Sequence, residues 1–100
     1  MITIRHTVHE HNGILEIQGH ANSAEFGRDV VCAGVSAIAT TLALILKEEN
    51  ASVRVASGNT SIVYPFSEQI APHIQFALTG FRWMAETFPE FISLQEESQS

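Results

Sequence analysis

The chain contains one cysteine, Cys32, and a histidine, His20, precedes it in the stretch GHANSAEFGRDVVCAGVS, Gly19 to Ser36. Thiolate is the nucleophilic form of cysteine, and a helix N-terminus stabilises negative charge through its unpaired N–H groups and its dipole. A histidine nearby could accept the thiol proton and later donate a proton to a leaving amine. The pair therefore predicts a dyad with His20 as base and Cys32 as nucleophile. The alternative is a cysteine buried as a small hydrophobic residue.

The residues around this pair each allow a functional and a structural interpretation. Asp29 could orient His20, or it could only cap the helix that follows. Ser36 lies one helical turn beyond Cys32, where it could contact the site or pack as a small residue. The backbone N–H groups of Cys32 and Ala33 could bind the oxyanion of a tetrahedral intermediate. Backbone turns or close approaches are expected at Gly19, Gly27 and Gly34.

The elements that must position the pair are a strand and a helix joined by a loop. Apolar and polar residues alternate over 2–10 and 14–20 around an Asn12-Gly13 turn signal, which predicts a β-hairpin. Small and polar residues follow, and they predict a mobile loop that includes Ala21, Phe26 and Gly27. Apolar residues then recur every third or fourth position, which predicts a helix from Val30 to near Asn50 with Asp29 as its N-cap.

The second half of the chain repeats the pattern of a hairpin followed by a helix. Residues 53–57 and 60–64 alternate around Gly58-Asn59. Apolar residues at helical spacing follow, and they predict a second helix that begins near Ser67 or Pro72 and ends at Pro89. Residues 91–95 add a possible short strand. The order ββαββα with a possible final β predicts an α+β two-layer sandwich of two helices on a mostly antiparallel sheet. We expect a single domain over residues 1–95 and an acidic tail over 96–100.

Composition excludes several classes of function. The 100 residues include 11 acidic and 5 basic side chains, so the net charge of −6 argues against direct nucleic-acid binding. The apolar run from Ala37 to Leu46 is too short for a bilayer, and the N-terminus does not resemble a signal peptide. We therefore expect a soluble cytoplasmic protein with no membrane partner and no disulfide.

No cofactor or metal is expected. His9 and His11 would share one strand face and could begin a metal site, but no third ligand is evident and exposed strand histidines are common.

The residues Gly19–Ala21 and Gly27–Ser36 resemble the signature of the bacterial ribosomal-processing cysteine proteases called Prp. This resemblance implies an endopeptidase that removes a short N-terminal extension from a large-subunit ribosomal protein, number twenty-seven in the usual naming. The family's catalytic residues correspond to His20 and Cys32, and its motif positions Gly19, Asp29 and Ser36 are present. The resemblance also implies a homodimer, and a loop between the catalytic residues that moves to admit substrate.

The family's substrate extension is apolar and aromatic just before the cut, as the resemblance implies. Four aromatic residues could line a groove for it, although their spacing makes them core residues by default: Phe26, Tyr64, Phe66 and Trp83.

Two other functions remain compatible with the sequence. The chain could be a non-enzymatic ribosome-assembly adaptor that binds the same ribosomal protein and uses Cys32 only for packing. It could also be a thiol redox sensor in which His20 tunes the cysteine, although a second, resolving cysteine is lacking.

Overall fold

The structure is a computed structural model, which describes residues 1–19, 28–56 and 58–99. Within these residues, five strands and two helices follow one another in the order ββαββαβ. They are β1 (Ile2–His9), β2 (Asn12–Gln18), α1 (Arg28–Lys47), β3 (Ser52–Ala56), β4 (Asn59–Pro65), α2 (Ala71–Thr87) and β5 (Ile92–Gln99). The predicted order is confirmed, including the final strand.

The strands form one sheet in the order β3-β4-β2-β1-β5. The pairs β1–β2, β2–β4 and β3–β4 are antiparallel, and β1–β5 is parallel. Both helices pack on the face that buries Ile4, Leu15 and Ile62. The expected α+β sandwich with a mostly antiparallel sheet is therefore correct.

The other face of the sheet is polar. Arg5, Gln18 and Arg54 are exposed there, and the Nε of Arg5 donates a hydrogen bond to Gln95 at 3.3 Å. Because polar side chains can remain in water, this face needs no second layer of helices.

The first hairpin turns two residues earlier than the sequence predicted. His9 pairs with Asn12, so the turn is Glu10-His11, and Glu10 adopts a φ of 54°. Asn12-Gly13 therefore lies inside β2, which covers 12–18 instead of the predicted 14–20. His9 ends a strand and His11 lies in the turn, so the expected common strand face for these two histidines is wrong.

The C-terminal residues were expected to form a frayed tail, and this expectation is wrong. Residues 96–99 continue β5, whose whole length pairs with β1. Two hydrogen bonds from the Arg82 guanidinium to the Glu96 carboxylate, of 2.6 and 2.9 Å, join the strand to α2. Backbone pairing with β1 is what orders an otherwise polar segment.

Within the described residues, α1 is the helix whose length and composition would allow it to cross a membrane. Its window Val30–Lys47 has a mean hydropathy of 2.0, with 33% of the window buried. The apolar segment is thus longer than the run from Ala37 to Leu46 considered in the sequence. A core helix meets the same criterion, and Val31, Val35 and Leu46 of α1 belong to the hydrophobic core.

Candidate active site

Cys32 lies in the N-terminal part of α1 and lines a cavity of about 250 Å³. Its side chain is partly buried and packs against the core. The cavity lies between this part of α1 and the ends of four strands. Its lining residues are Ile2, Ile17, Gly19, Cys32, Val35, Ser36, Ala39, Thr40, Val55, Ala56, Gly58, Asn59 and Thr60. The cysteine is therefore accessible to a ligand in this cavity.

The neighbouring core fixes the height of Cys32 above the sheet. Val31 and Val35 are buried at 1% and 2% exposure, on either side of the cysteine in sequence. Gly34 faces α2, where an added Cβ would lie 2.9 Å from the terminal methyl carbon of Met84. The expected close approach at Gly34 is confirmed, and its cause is the packing of α2 against α1.

Gly19 directly follows β2 and lines the edge of the same cavity. Its φ is 107°, and an added Cβ would lie 2.3 Å from the carbonyl oxygen of Met1. Its N–H donates a hydrogen bond to the carbonyl of Gly58 at 3.0 Å. Glycine is the residue that tolerates this backbone conformation. The expected close approach at Gly19 is confirmed, at the edge of the cavity that Cys32 lines.

Four predicted site residues lie outside the described residues: His20, Ala21, Phe26 and Gly27. The backbone of Asp29 is described, but its side chain is not. The predicted dyad and the predicted mobile loop therefore stay predictions.

The start of α1 differs from the expectation. The helix begins at Arg28, so Asp29 is its second residue and not the N-cap before it. The N–H groups of Cys32 and Ala33 then lie beyond the first four amides, which are the ones that a helix leaves unpaired. A role of these two amides in binding an oxyanion therefore stays a prediction.

Ser36 and Thr40 follow Cys32 at helical spacing and line the cavity with it. This favours a site contact over simple packing for Ser36. Sequence reasoning missed Thr40, although its spacing of four residues from Ser36 could have revealed it. It also missed Val55 and Asn59, whose positions depend on sheet pairing and leave no local signal.

The groove that aromatic residues could have lined is not formed by Tyr64, Phe66 and Trp83, and their default assignment to the core is right for Tyr64 and wrong for Phe66 and Trp83. Tyr64 is buried on the face of the sheet that the helices cover, while Phe66 and Trp83 are exposed at 45% and 60%. None of the three lines the cavity of Cys32.

A polar cluster lies apart from this cavity, under the helices. The Tyr64 hydroxyl is hydrogen-bonded to Nε2 of His6 at 2.5 Å. Burial raises the pKa of Tyr64 to about 12 and lowers the pKa of His6, an effect that the Glu96 carboxylate opposes. The hydrogen bonds from Arg82 lower the pKa of Glu96. Burial therefore favours the uncharged forms of both rings.

No metal centre is found in the part of the chain that the structure describes, where no three His, Cys, Asp or Glu side chains are grouped to hold an ion.

The sequence matches the family model described as cysteine protease Prp over residues 1–93. The fold is similar to that of SMU.848 from Streptococcus mutans, with a TM-score of 0.79 and 24% identity over 99% of this chain and 96% of that chain. It is also similar to the ribosomal processing protease Prp from Staphylococcus aureus in complex with a substrate peptide, with a TM-score of 0.78 and 23% identity over 96% of this chain and 99% of that chain.

A second structure of that Staphylococcus aureus protease holds a covalently linked product peptide. It matches with a TM-score of 0.75 and 24% identity over 96% of this chain and 99% of that chain. No curated protein matches the sequence significantly.

Proposed function

The chain belongs to the cysteine protease family Prp, and we propose that His20 and Cys32 form the catalytic dyad with which it removes the N-terminal extension of a large-subunit ribosomal protein, number twenty-seven. The enzyme is a cysteine protease. The dyad, the ribosomal substrate, a cytoplasmic location and a homodimeric state are parts of this proposal.

One observation carries the assignment of the dyad: Gly19 and Cys32 line the same cavity. His20 follows Gly19 directly, and a trans peptide bond keeps consecutive Cα atoms ~3.8 Å apart. An imidazole attached at this point of the chain is thus tethered to the rim of the cavity that the thiol lines. Val35 and Gly34 hold Cys32 in the packed part of α1, which supports a fixed nucleophile with a base on the adjoining segment.

The proposed reaction proceeds in two steps. In the first, His20 takes the proton of the Cys32 thiol, and Sγ attacks the scissile carbonyl carbon. The resulting tetrahedral intermediate collapses with cleavage of the C–N bond, and the leaving amine takes the proton from His20. In the second, His20 accepts a proton from water, the hydroxide attacks the thioester, and Cys32 leaves as the thiol once the proton returns to it.

The ribosomal substrate is proposed from the family motif and from the family itself. Gly19, His20, Asp29, Cys32 and Ser36 all stand at the motif positions. The similar Staphylococcus aureus enzyme is a ribosomal processing protease that was crystallised with a substrate peptide. A shared fold and a complete motif favour the same class of substrate for this chain.

Incubation of the chain with the ribosomal protein precursor, followed by mass spectrometry, tests this function. We expect cleavage at one bond, and we expect His20→Ala to slow it by roughly a thousandfold, within the range that general acid–base catalysis contributes. His11→Ala is the matched control, because His11 lies in the exposed Glu10-His11 turn. Near-normal cleavage by His20→Ala would contradict the dyad.

The same experiment distinguishes the two other functions. A ribosome-assembly adaptor would bind the precursor and leave it intact. A thiol redox sensor would leave it intact as well, and its Cys32 would gain oxygen mass after mild peroxide treatment.

A further inference from the structure

We propose that the peptide substrate binds in an extended conformation as an added strand on the open edge of β3, inside a groove that leads to Cys32. This inference rests on the proposed function and specifies how the substrate is held. We define the α1–β3 groove by Cys32, Thr40, Leu44 and Lys47 on α1 and by Val53 and Val55 on β3.

Two adjoining cavities make up the groove, and together they extend from the cysteine to the C-terminal end of α1. The cavity that Cys32 lines shares two residues, Thr40 and Val55, with a second cavity of about 420 Å³. The second cavity extends along α1 to Lys47 and along β3 to Val53. A chain lying in both cavities would therefore run beside β3 and end at the thiol.

β3 is the terminal strand of the sheet and pairs only with β4 among the described strands. The direction of its free backbone groups follows from two hydrogen bonds. The carbonyl of Gly58 accepts from Gly19, and the N–H of Phe66 donates to His11. In β4, the backbone N–H and C=O groups of the even-numbered residues thus point to β2. Because this direction alternates along a strand, those of the odd-numbered residues point to β3.

The odd-numbered residues Asn59, Ser61 and Val63 of β4 are paired with Ala56, Arg54 and Ser52 of β3. The intervening residues of β3, Val53 and Val55, therefore direct their N–H and C=O groups away from β4, to the open side of the sheet. Free backbone groups along a strand edge are a template for pairing with an extended peptide. Because the free backbone groups of Val53 and Val55 lie beside the cavity of Cys32, we take the substrate to be the peptide that pairs with this edge.

The dimensions fit a short peptide. Fifteen residues of helix separate Cys32 from Lys47, which corresponds to ~22 Å along the axis. An extended chain rises ~3.3 Å per residue, so about six or seven residues would fill the groove. This length is sufficient for pairing with both Val53 and Val55 while the scissile bond lies at Cys32.

The side chains in the groove favour an apolar peptide. Leu44 and Val55 are exposed at 64% and 53% and line the same cavity, where they present an apolar surface to a ligand. Among the described residues that line the two cavities, Lys47 is the one charged side chain, and it lies at the end away from Cys32. An extended segment of mainly apolar residues would cover the exposed leucine and valine.

Val55→Pro tests the pairing, because proline removes the N–H that would bind the substrate and is tolerated on an edge whose N–H faces solvent. We expect kcat/KM for the precursor peptide to fall about tenfold below that of Val55→Ala, which keeps the N–H and loses only apolar contact. Arg54→Ala is the control for the outer face of the sheet and should cut at the wild-type rate. Equal activity of Val55→Pro and Val55→Ala would overturn the proposal.

Amide hydrogen exchange provides a second test that does not depend on the proline variant. In Cys32→Ala mixed with uncut peptide, the amides of Val53 and Val55 should become protected. If the wild type cuts this peptide but these amides exchange at an unchanged rate in the complex, strand addition is wrong and the protease function stands. Protection that appears without peptide as the protein concentration rises would also overturn it, because a second copy would then occupy the edge. If the wild type does not cut the peptide at all, the proposed function itself fails.

Discussion

The hydroxyl of Tyr64 lies 2.5 Å from Nε2 of His6, although a whole strand, β2, separates their strands in the sheet. The tyrosine ring crosses β2 at Gly13, where an added Cβ would lie 2.1 Å from the ring carbon that bears the hydroxyl. Both side chains are buried, at 1% and 7% exposure, and their rings are nearly parallel. The missing side chain of Gly13 therefore allows a polar contact under the helices to join β4 to β1.

Gly13→Ala should destabilise the fold by about 2 kcal/mol, because the buried tyrosine ring must shift and lose its hydrogen bond to His6. Urea unfolding followed by circular dichroism measures this loss. In a Tyr64→Leu background the same substitution should cost much less, since the ring that conflicts with the new methyl group is gone. An equal loss in the two backgrounds would show that the cost comes from the backbone of Gly13 and not from Tyr64.

His6 should make stability depend on pH. Burial lowers its pKa below the ordinary value of 6.5, so below that pH the unfolded chain binds a proton that the folded chain does not. The free energy of unfolding should therefore fall as the pH falls from 7.5 to 5.5, by at most about 1.4 kcal/mol. Glu96, whose lowered pKa starts from 4.5, contributes only at lower pH. His6→Gln should abolish most of this slope, and an unchanged slope in that variant would assign it to other groups.

Gly13 also shows why the sequence predicted the elements better than their turns. Alternation and helical periodicity depend on neighbours in sequence, and they identified each of the seven elements that the described residues form. Asn12-Gly13 resembles a turn locally, but Gly13 is required by the ring of Tyr64, which comes from a distant strand. The acidic segment 96–99 was misassigned for a similar reason, because its order depends on pairing with β1.

Some residues of the candidate site could likewise be predicted from the local sequence, and others could not. Cys32, Ser36 and Gly19 could be found from the motif and from spacing within one helix or strand end. Val55 reaches the cavity only because β3 folds back beside α1, so nothing in the local sequence marks it as a site residue.

Gly19→Ala should lower turnover more than stability. A residue with a side chain is strained at a φ of 107°, and its Cβ would conflict with the backbone of Met1, so the chain that leads to His20 must move. We expect kcat to fall about tenfold or more, with a loss of stability of about 1–3 kcal/mol. Gly80→Ala is a suitable comparison, because Gly80 lies in α2 and its φ is not in the left-handed region. Wild-type turnover by Gly19→Ala would show that this strand end does not position the base.

The proposed mechanism makes the thiol of Cys32 the nucleophile that cuts the ribosomal precursor. Cys32→Ala removes only the sulfur from a partly buried helical position, so it should cost on the order of 1 kcal/mol and leave the protein folded. Alanine has no thiolate to attack the carbonyl, while the cavity and the α1–β3 groove remain. The variant should therefore bind the uncut precursor and fail to cut it.

The decisive measurement is mass spectrometry of the precursor after incubation with Cys32→Ala or with the wild type, combined with calorimetric binding to the variant. We expect cleavage at one bond by the wild type, and an intact but bound precursor with Cys32→Ala. Cleavage by Cys32→Ala at the wild-type rate would rule out Cys32 as the nucleophile, because the bond would then be cut without the sulfur.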